Sequence, residues 1–214
     1  MPRYQNLNAE RALIWRIVHR QNVPWILENG LHCSNSDVRD PEFIQIGNEE
    51  IIEKRTGRDV PIHPGGSLSD YVPFYFTPFS PMMFNIHTGH GVHRRDNREI
   101  CILVSSLHKV QEAGVEFVFT DRHAYQPLAE YYSEIEDLVN VDWASLRERD
   151  FRRDPENPLK FEKYQAEALV YRHLPVECLI GIVCYDANSK EQLTDSANER
   201  GIDLDIEHRP GWYF

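Results

Sequence analysis

The chain has 214 residues, 41% of them hydrophobic and 27% charged, which supports a packed core of domain size and excludes a globally disordered chain. A formal net charge of −11 argues against a protein that coats nucleic acid non-specifically, because that affinity comes from many Lys and Arg contacts to phosphate, but a local basic patch gripping a few nucleotides remains open. The polar N-terminus has no apolar leader, the apolar run at 178–185 is too short to span a bilayer, and four scattered cysteines without a CxxC pair suit a reduced, cytoplasmic setting.

Residues 13–18, rich in β-branched and aromatic side chains, read as a first strand. A short helix follows at 22–29, with Asn22 at its N-cap and Gly30 at its C-cap. Residues 41–54 read as a helix that offers Phe43, Ile46, Ile51 and Ile52 for burial, and 61–70 as a turn-rich loop. A strand is expected at 71–77, one or two helical turns at 81–87 and a strand at 99–104. A helix capped by Ser105 or Ser106 should then run to 112, followed by a short strand at 116–119. From 120 to about 164 the pattern is polar and mostly helical, most clearly at 128–139. Strands at 165–172 and 179–185, a helix at 188–200 and a strand at 202–207 close the chain. Elements mix without a regular βαβ rhythm, so the fold class is α+β. Neither a GxGxxG fingerprint nor a P-loop is present.

Glu167 is the most informative residue. It is the one charge in the strand Tyr164-Gln-Ala-Glu-Ala-Leu-Val-Tyr171, flanked by Ala166 and Ala168, whose small side chains leave room for a ligand. The alternative is a strand-edge carboxylate paired with an Arg. Arg55 ends a predicted helix, where a cation also suits the helix dipole. His123 follows an apolar strand, and His19 with Asn22 follows the first strand; capping is the plainer role for each. His87, His90 and His93 have ligand-like spacing, but their glycine-rich loop carries no neighbouring Cys or carboxylate, and no metal is expected. Arg94, Arg95 and Arg98 form one basic patch. Arg147, Arg149, Arg152 and Arg153 form another.

Four blocks, in order, carry a family resemblance. They are Ile14-Trp-Arg-Ile-Val-His-Arg-Gln-Asn-Val-Pro-Trp-Ile-Leu27, Pro64-Gly-Gly-Ser-Leu-Ser-Asp-Tyr-Val-Pro-Phe-Tyr-Phe76, Phe117-Val-Phe-Thr-Asp-Arg-His123 and Gln165-Ala-Glu-Ala-Leu-Val-Tyr171. With them the chain resembles the DarT toxins, DNA ADP-ribosyltransferases of bacterial toxin–antitoxin systems. The resemblance implies one catalytic domain over 10–214 with the ADP-ribosyltransferase fold, a split, mostly antiparallel β core with surrounding helices. NAD would be the substrate, bound in the cleft between the two halves, with no metal. Glu167, Arg55 and His123 would be catalytic. Trp15, Arg16, Ile17, His19, Asn22, Arg55 and Tyr71 would bind NAD, and residues 36–61 would fold over it. Arg16 stands where some relatives carry His.

The implied acceptor is a base of single-stranded DNA, thymidine in the branch these blocks resemble more, guanosine in a sister group. A base splayed from the strand needs stacking and phosphate contacts, for which Tyr75, Phe76 or Phe79 and Arg94, Arg95 and Arg149 are available. A macrodomain antitoxin is the implied partner, and no membrane is. The rival readings are an NAD-consuming enzyme with a protein, RNA or water acceptor, and a catalytically silent module that binds NAD or ADP-ribose.

Overall fold

The computed structural model describes residues 4–214; Met1–Arg3, part of the polar N-terminal stretch, lie outside the described residues. Strand β1 (Leu13–His19) is flanked on both sides in the sheet and is mostly buried, as its near-continuous apolar sequence requires. Helix α1 (Val23–Asn29) begins with Pro24 in its first turn, where a missing N–H costs nothing. It stops at Gly30, whose φ is +75°; a Cβ there would stand 2.5 Å from both the His173 ring and the Leu174 carbonyl. Strand β2 (Leu31–His32) follows.

Helix α2 (Glu49–Thr56) occupies only the second half of the segment expected to be helical. Asn48 accepts the Ile51 N–H, and Glu49 and Glu50 sit in the first turn, so the helix starts at a proper cap. Upstream, Asp40 ties up the Glu42 and Phe43 amides in a turn. The Ile44 backbone is drawn into two bonds with Asn22, and 41–48 remains irregular.

Strand β3 (Tyr71–Tyr75), helix α3 (Pro81–Thr88), strand β4 (Ile100–Ser106) and helix α4 (Leu107–Glu112) match the sequence expectation closely. Ser106 caps α4 by accepting the Lys109 N–H, while Ser105 donates to the Cys178 carbonyl. Strand β5 (Phe117–Thr120) also falls where expected.

The expected helix at 128–139 is absent. Strand β6 (Tyr131–Tyr132) and a 3-10 turn at Ile135–Asn140 occupy it. Two consecutive tyrosines favour pairing with Phe119 and Thr120, and Leu128 and Val139, the ends of the expected helix, are 73% and 77% exposed. Helices α5 (Trp143–Glu148) and α6 (Lys160–Lys163) are short.

Strand β7 (Glu167–Tyr171) starts at Glu167 because the Gln165 and Ala166 amides bond back to the Glu162 and Lys163 carbonyls at the end of α6. Strands β8 (His173–Leu174) and β9 (Gly181–Cys184), helix α7 (Ala187–Glu199) and strand β10 (Asp205–His208) complete the chain.

Eight strands form one sheet in the order β10-β9-β4-β1-β3-β7-β5-β6, antiparallel throughout except between β9 and β10. The sheet is split at its centre. Strands β1 and β4 pair over seven residues, whereas β1 and β3 share a single pair, Trp15 opposite Tyr75. The fold is therefore α+β with a split, mostly antiparallel core. A large apolar core fills most of the molecule. A smaller one (Val60, Leu68, Tyr71, Val118, Ala124 and Leu169) lies on the face of β3 and β7 that carries Glu167. All four cysteines are buried and free. Among the described residues, no helix is long and apolar enough to cross a membrane.

Candidate active site

Pairing places Trp15, Tyr75 and Glu167 in one row across the split. Glu167 is 2% exposed, so its charge depends on protein partners. One oxygen, Oε2, accepts from Arg55 Nη1 at 2.9 Å, and the other, Oε1, accepts the Ala124 N–H at 3.1 Å. His123 Nδ1 stands 3.5 Å from Oε1. Burial pushes the Glu167 carboxyl up, but the Arg55 charge, the His123 ring and the Ala124 amide outweigh it and hold the group below its ordinary value.

Arg55 reaches this place from the last turn of α2, while its neighbour Lys54 faces outward to Glu50. The guanidinium is itself buried. Its Nη2 has no hydrogen-bond partner among the described residues, although Nη1 donates to Glu167. A buried donor without an acceptor is costly, so this atom marks a place where an incoming ligand finds a ready partner.

The segment 121–131 is braced on every side. Arg122 forks onto Asp121, Asp121 accepts the Glu130 N–H, Tyr131 donates to the Ala124 carbonyl at 2.7 Å, and Arg58 donates to the Gln126 carbonyl. This bracing aims the Ala124 N–H at Glu167. Nothing in the sequence marks Arg58, Tyr131 or the Ala124 amide, because each acts through backbone geometry. His123 Nδ1 accepts the Tyr125 N–H, which leaves the proton of a neutral ring on Nε2.

Arg16 lies in the split. Its Nη1 donates to the Pro73 carbonyl at 2.8 Å, and burial first, then the nearby Arg55 charge, lowers its pKa to about 10. Tyr75 is held un-ionised by burial and by the Glu167 charge, and its hydroxyl meets the Met82 sulfur at 3.8 Å. Glu167, Arg55, His123, Arg16 and Tyr75 are thus brought together.

The other expected site residues make contacts of their own. Trp15 turns its ring to Trp212. Ile17 packs in the core. His19 accepts the Gln21 N–H and faces Glu99 at 3.5 Å. Asn22 stands at the N-cap of α1 as expected but makes no side-chain cap bond; it holds the Ile44 backbone by both its amide atoms, pinning the segment before α2. Tyr71 is buried in the smaller core with its hydroxyl on the Gly65 carbonyl. Arg94 and Arg95 line an open cleft of about 460 Å³ with His87, Asp96, Arg98 and Tyr185. Arg149 lies 3.3 Å from the Phe79 ring centre and donates to the Tyr4 hydroxyl, so much of its guanidinium is occupied within the protein. Among the described residues, no three His, Cys, Asp or Glu side chains gather to hold a metal ion.

A carboxylate kept ionised beside a buried cation, at the split of such a sheet, is a setting for stabilising positive charge on a bound substrate. Comparison with known proteins gives that setting a family. The family described as "ssDNA thymidine ADP-ribosyltransferase, DarT" matches residues 15–214. The chain belongs to this family. It is 54% identical over 210 residues to a DNA ADP-ribosyl transferase of Escherichia coli O127:H6 (strain E2348/69 / EPEC), covering 98% of this chain and 96% of that one. Among solved structures it is similar to Thermus sp. 2.9 DarT in complex with ADP-ribosylated ssDNA, with TM-score 0.88, 33% identity, and 96% and 97% of the two chains covered. The same Thermus protein in complex with NAD+ matches with TM-score 0.83, 32% identity, and 96% and 98% covered.

Proposed function

We propose that this chain transfers the ADP-ribosyl group of NAD to thymidine in single-stranded DNA. The observation that carries the reading is the buried Glu167–Arg55 pair at the split of the sheet, in a chain of the DarT family. Breaking the bond between nicotinamide and ribose builds positive charge on the ribose while nicotinamide leaves neutral, as in other glycosidic cleavages through an oxocarbenium-like state. Glu167, held ionised, offsets that charge and accepts from a ribose hydroxyl. Arg16 and Tyr75 lie beside it, each coupled electrostatically to Glu167 and Arg55.

The acceptor nitrogen of thymine is a weak nucleophile until its proton leaves. The unpartnered Nη2 of Arg55 is suited to a carbonyl oxygen of the base and favours the deprotonated form. Glu167 Oε1, with the His123 ring 3.5 Å away, is the group offered to that proton. A base inside a duplex presents this nitrogen to its partner, which is why the substrate is single-stranded. Arg94 and Arg95, which line an open cleft, suit the flanking phosphates. Such a modification of DNA in the cytoplasm calls for a partner that removes it, and we assign that role to a macrodomain hydrolase acting as antitoxin.

The test is incubation of the protein with NAD and mixed single-stranded oligonucleotides, read by intact mass and fragmentation, with Glu167→Gln as control. One ADP-ribose on thymidine supports the reading. Modification of guanosine moves the acceptor, and release of nicotinamide without modified DNA overturns the DNA transferase.

A further inference from the structure

The ladder between β1 and β3 stops after one pair, and it stops beside Glu167: Trp15 opposes Tyr75, and Tyr75 opposes Glu167. Continued, the same register would set Ile17 against Pro73. The bonds of β7 show which way Pro73 faces. The Tyr171 amide donates to the Glu116 carbonyl and the Glu167 amide to Thr120 Oγ1, so the odd-numbered residues of β7 turn their backbone toward β5. Leu169 turns the same way. Pro73, opposite Leu169 in an antiparallel pair, therefore turns its backbone away from β7 and toward β1.

In that position a proline costs the β3–β7 ladder nothing, because no N–H is needed on that side, but it denies β1 the donor that a second pair requires. Its carbonyl is nevertheless used. Arg16 Nη1 reaches it at 2.8 Å, a charged donor that spans the split where the backbone ladder has ended. Arg16 Nε, shut off from solvent, has no partner among the described residues, so the guanidinium is held here through Nη1. Strand β1 is fixed to β4 over seven residues and β3 to β7 over five, so this bond ties together two continuous half-sheets.

We infer that Pro73 and Arg16 set the opening of the cleft: Pro73 stops β1 and β3 from pairing past Trp15 and Tyr75, and Arg16 is the strut that fixes the half-sheets at that separation. Both are positioning residues, and the inference rests on the reading above, in which NAD is the substrate held at the split. A ligand between two strands competes with their pairing, and an N–H at position 73 would let Ile17 pair across its place. Without the strut, the half carrying Glu167 and Tyr75 would be joined to β1 near the site by the Trp15 pair alone.

The test uses the full chain, with NAD binding read by calorimetry and single amides by NMR hydrogen exchange. Pro73→Ala adds the missing N–H. The new amide at position 73 should be protected from exchange. The added pair gives NAD up to two backbone bonds to break, so Kd for NAD should rise roughly 5- to 100-fold. The kcat at saturating NAD should fall by less than Kd rises. Arg16→Met removes the strut and should raise Kd for NAD roughly 10- to 100-fold, the loss of one hydrogen bond from a charged donor. Arg16→Lys keeps a charged donor and should recover part of that loss. Wild-type affinity for NAD in Pro73→Ala, or an unprotected amide at position 73, overturns the ladder stop. Affinity in Arg16→Lys no better than in Arg16→Met overturns the strut, as does a lowered melting temperature in Arg16→Met with Kd unchanged. A wild type that binds no NAD, with the position-73 amide protected in Pro73→Ala, supports the ladder stop and overturns the transferase reading instead.

Discussion

Glu167 and Arg55 hold each other in place as much as they face a substrate. From the sequence, Glu167 reads as a cleft-lining carboxylate whose removal leaves the fold alone; at 2% exposed and bonded to a buried guanidinium, it is a structural partner as well. Glu167→Ala should therefore abolish transfer and also destabilise the protein, by about 3–5 kcal/mol, because Arg55 keeps a buried charge with nothing opposite. Adding Arg55→Ala should recover part of the melting temperature and none of the activity, a double-mutant cycle that separates the two roles. Arg55→Ala alone should cost roughly 10²–10³ in rate. Because the folded state lowers the Glu167 pKa, its contribution to stability is full above the unfolded carboxylate range near 4.5 and is lost as pH falls below it. The gap in melting temperature between wild type and Glu167→Gln should then be constant from neutral pH to about 5 and close in stronger acid. Glu167 was legible because a charge interrupts an apolar strand. Arg55 was legible only through family likeness, since a cation at a helix end looks the same whether it meets a carboxylate or water.

At the level of elements, the segment before α2 shows what a linear reading misses. Phe43, Ile46, Ile51 and Ile52 have helical spacing, but Phe43 and Ile51 are 44% and 42% exposed, and the true start is announced by Asn48 followed by two glutamates. What organises 41–48 is instead Asn22, a residue distant in sequence, through two bonds to the Ile44 backbone. Asn22→Ala should loosen this segment: faster limited proteolysis between α1 and α2, and KM for NAD raised roughly 5- to 30-fold if about 1–2 kcal/mol of ordering is lost. A smaller rise with unchanged proteolysis would show that the segment is held by other means. The helix expected at 128–139 failed for a related reason. The stretch leading into it, 124–131, is ordered by bonds from Asp121, Arg58 and Tyr131 to backbone atoms that no side-chain pattern records. Elements with strong local signals, such as β1, β4 and α7, fell within a few residues of their expected bounds.

Across the whole molecule, a net charge of −11 coexists with three arginines, Arg94, Arg95 and Arg98, lining one cleft. DNA affinity should then depend only weakly on salt. Two phosphate contacts, by Arg94 and Arg95, predict a slope of about −1.4 in log affinity against log salt, and Arg94→Ala should lower its magnitude by about 0.7. A slope several times steeper would mean a broad contact surface elsewhere.

The split sheet has a consequence for how the gene can be divided. The chain crosses between the half-sheets repeatedly, so neither half is contiguous: β1 and β3 precede α3, while β4 and β7 follow it. A break in the exposed glycine-containing turn after α3 would leave Arg55 and Tyr75 on one fragment and Glu167 and His123 on the other. Each fragment alone lacks half of the site. Joined to a pair of proteins that associate on command, the fragments would form a conditional enzyme, silent until assembled.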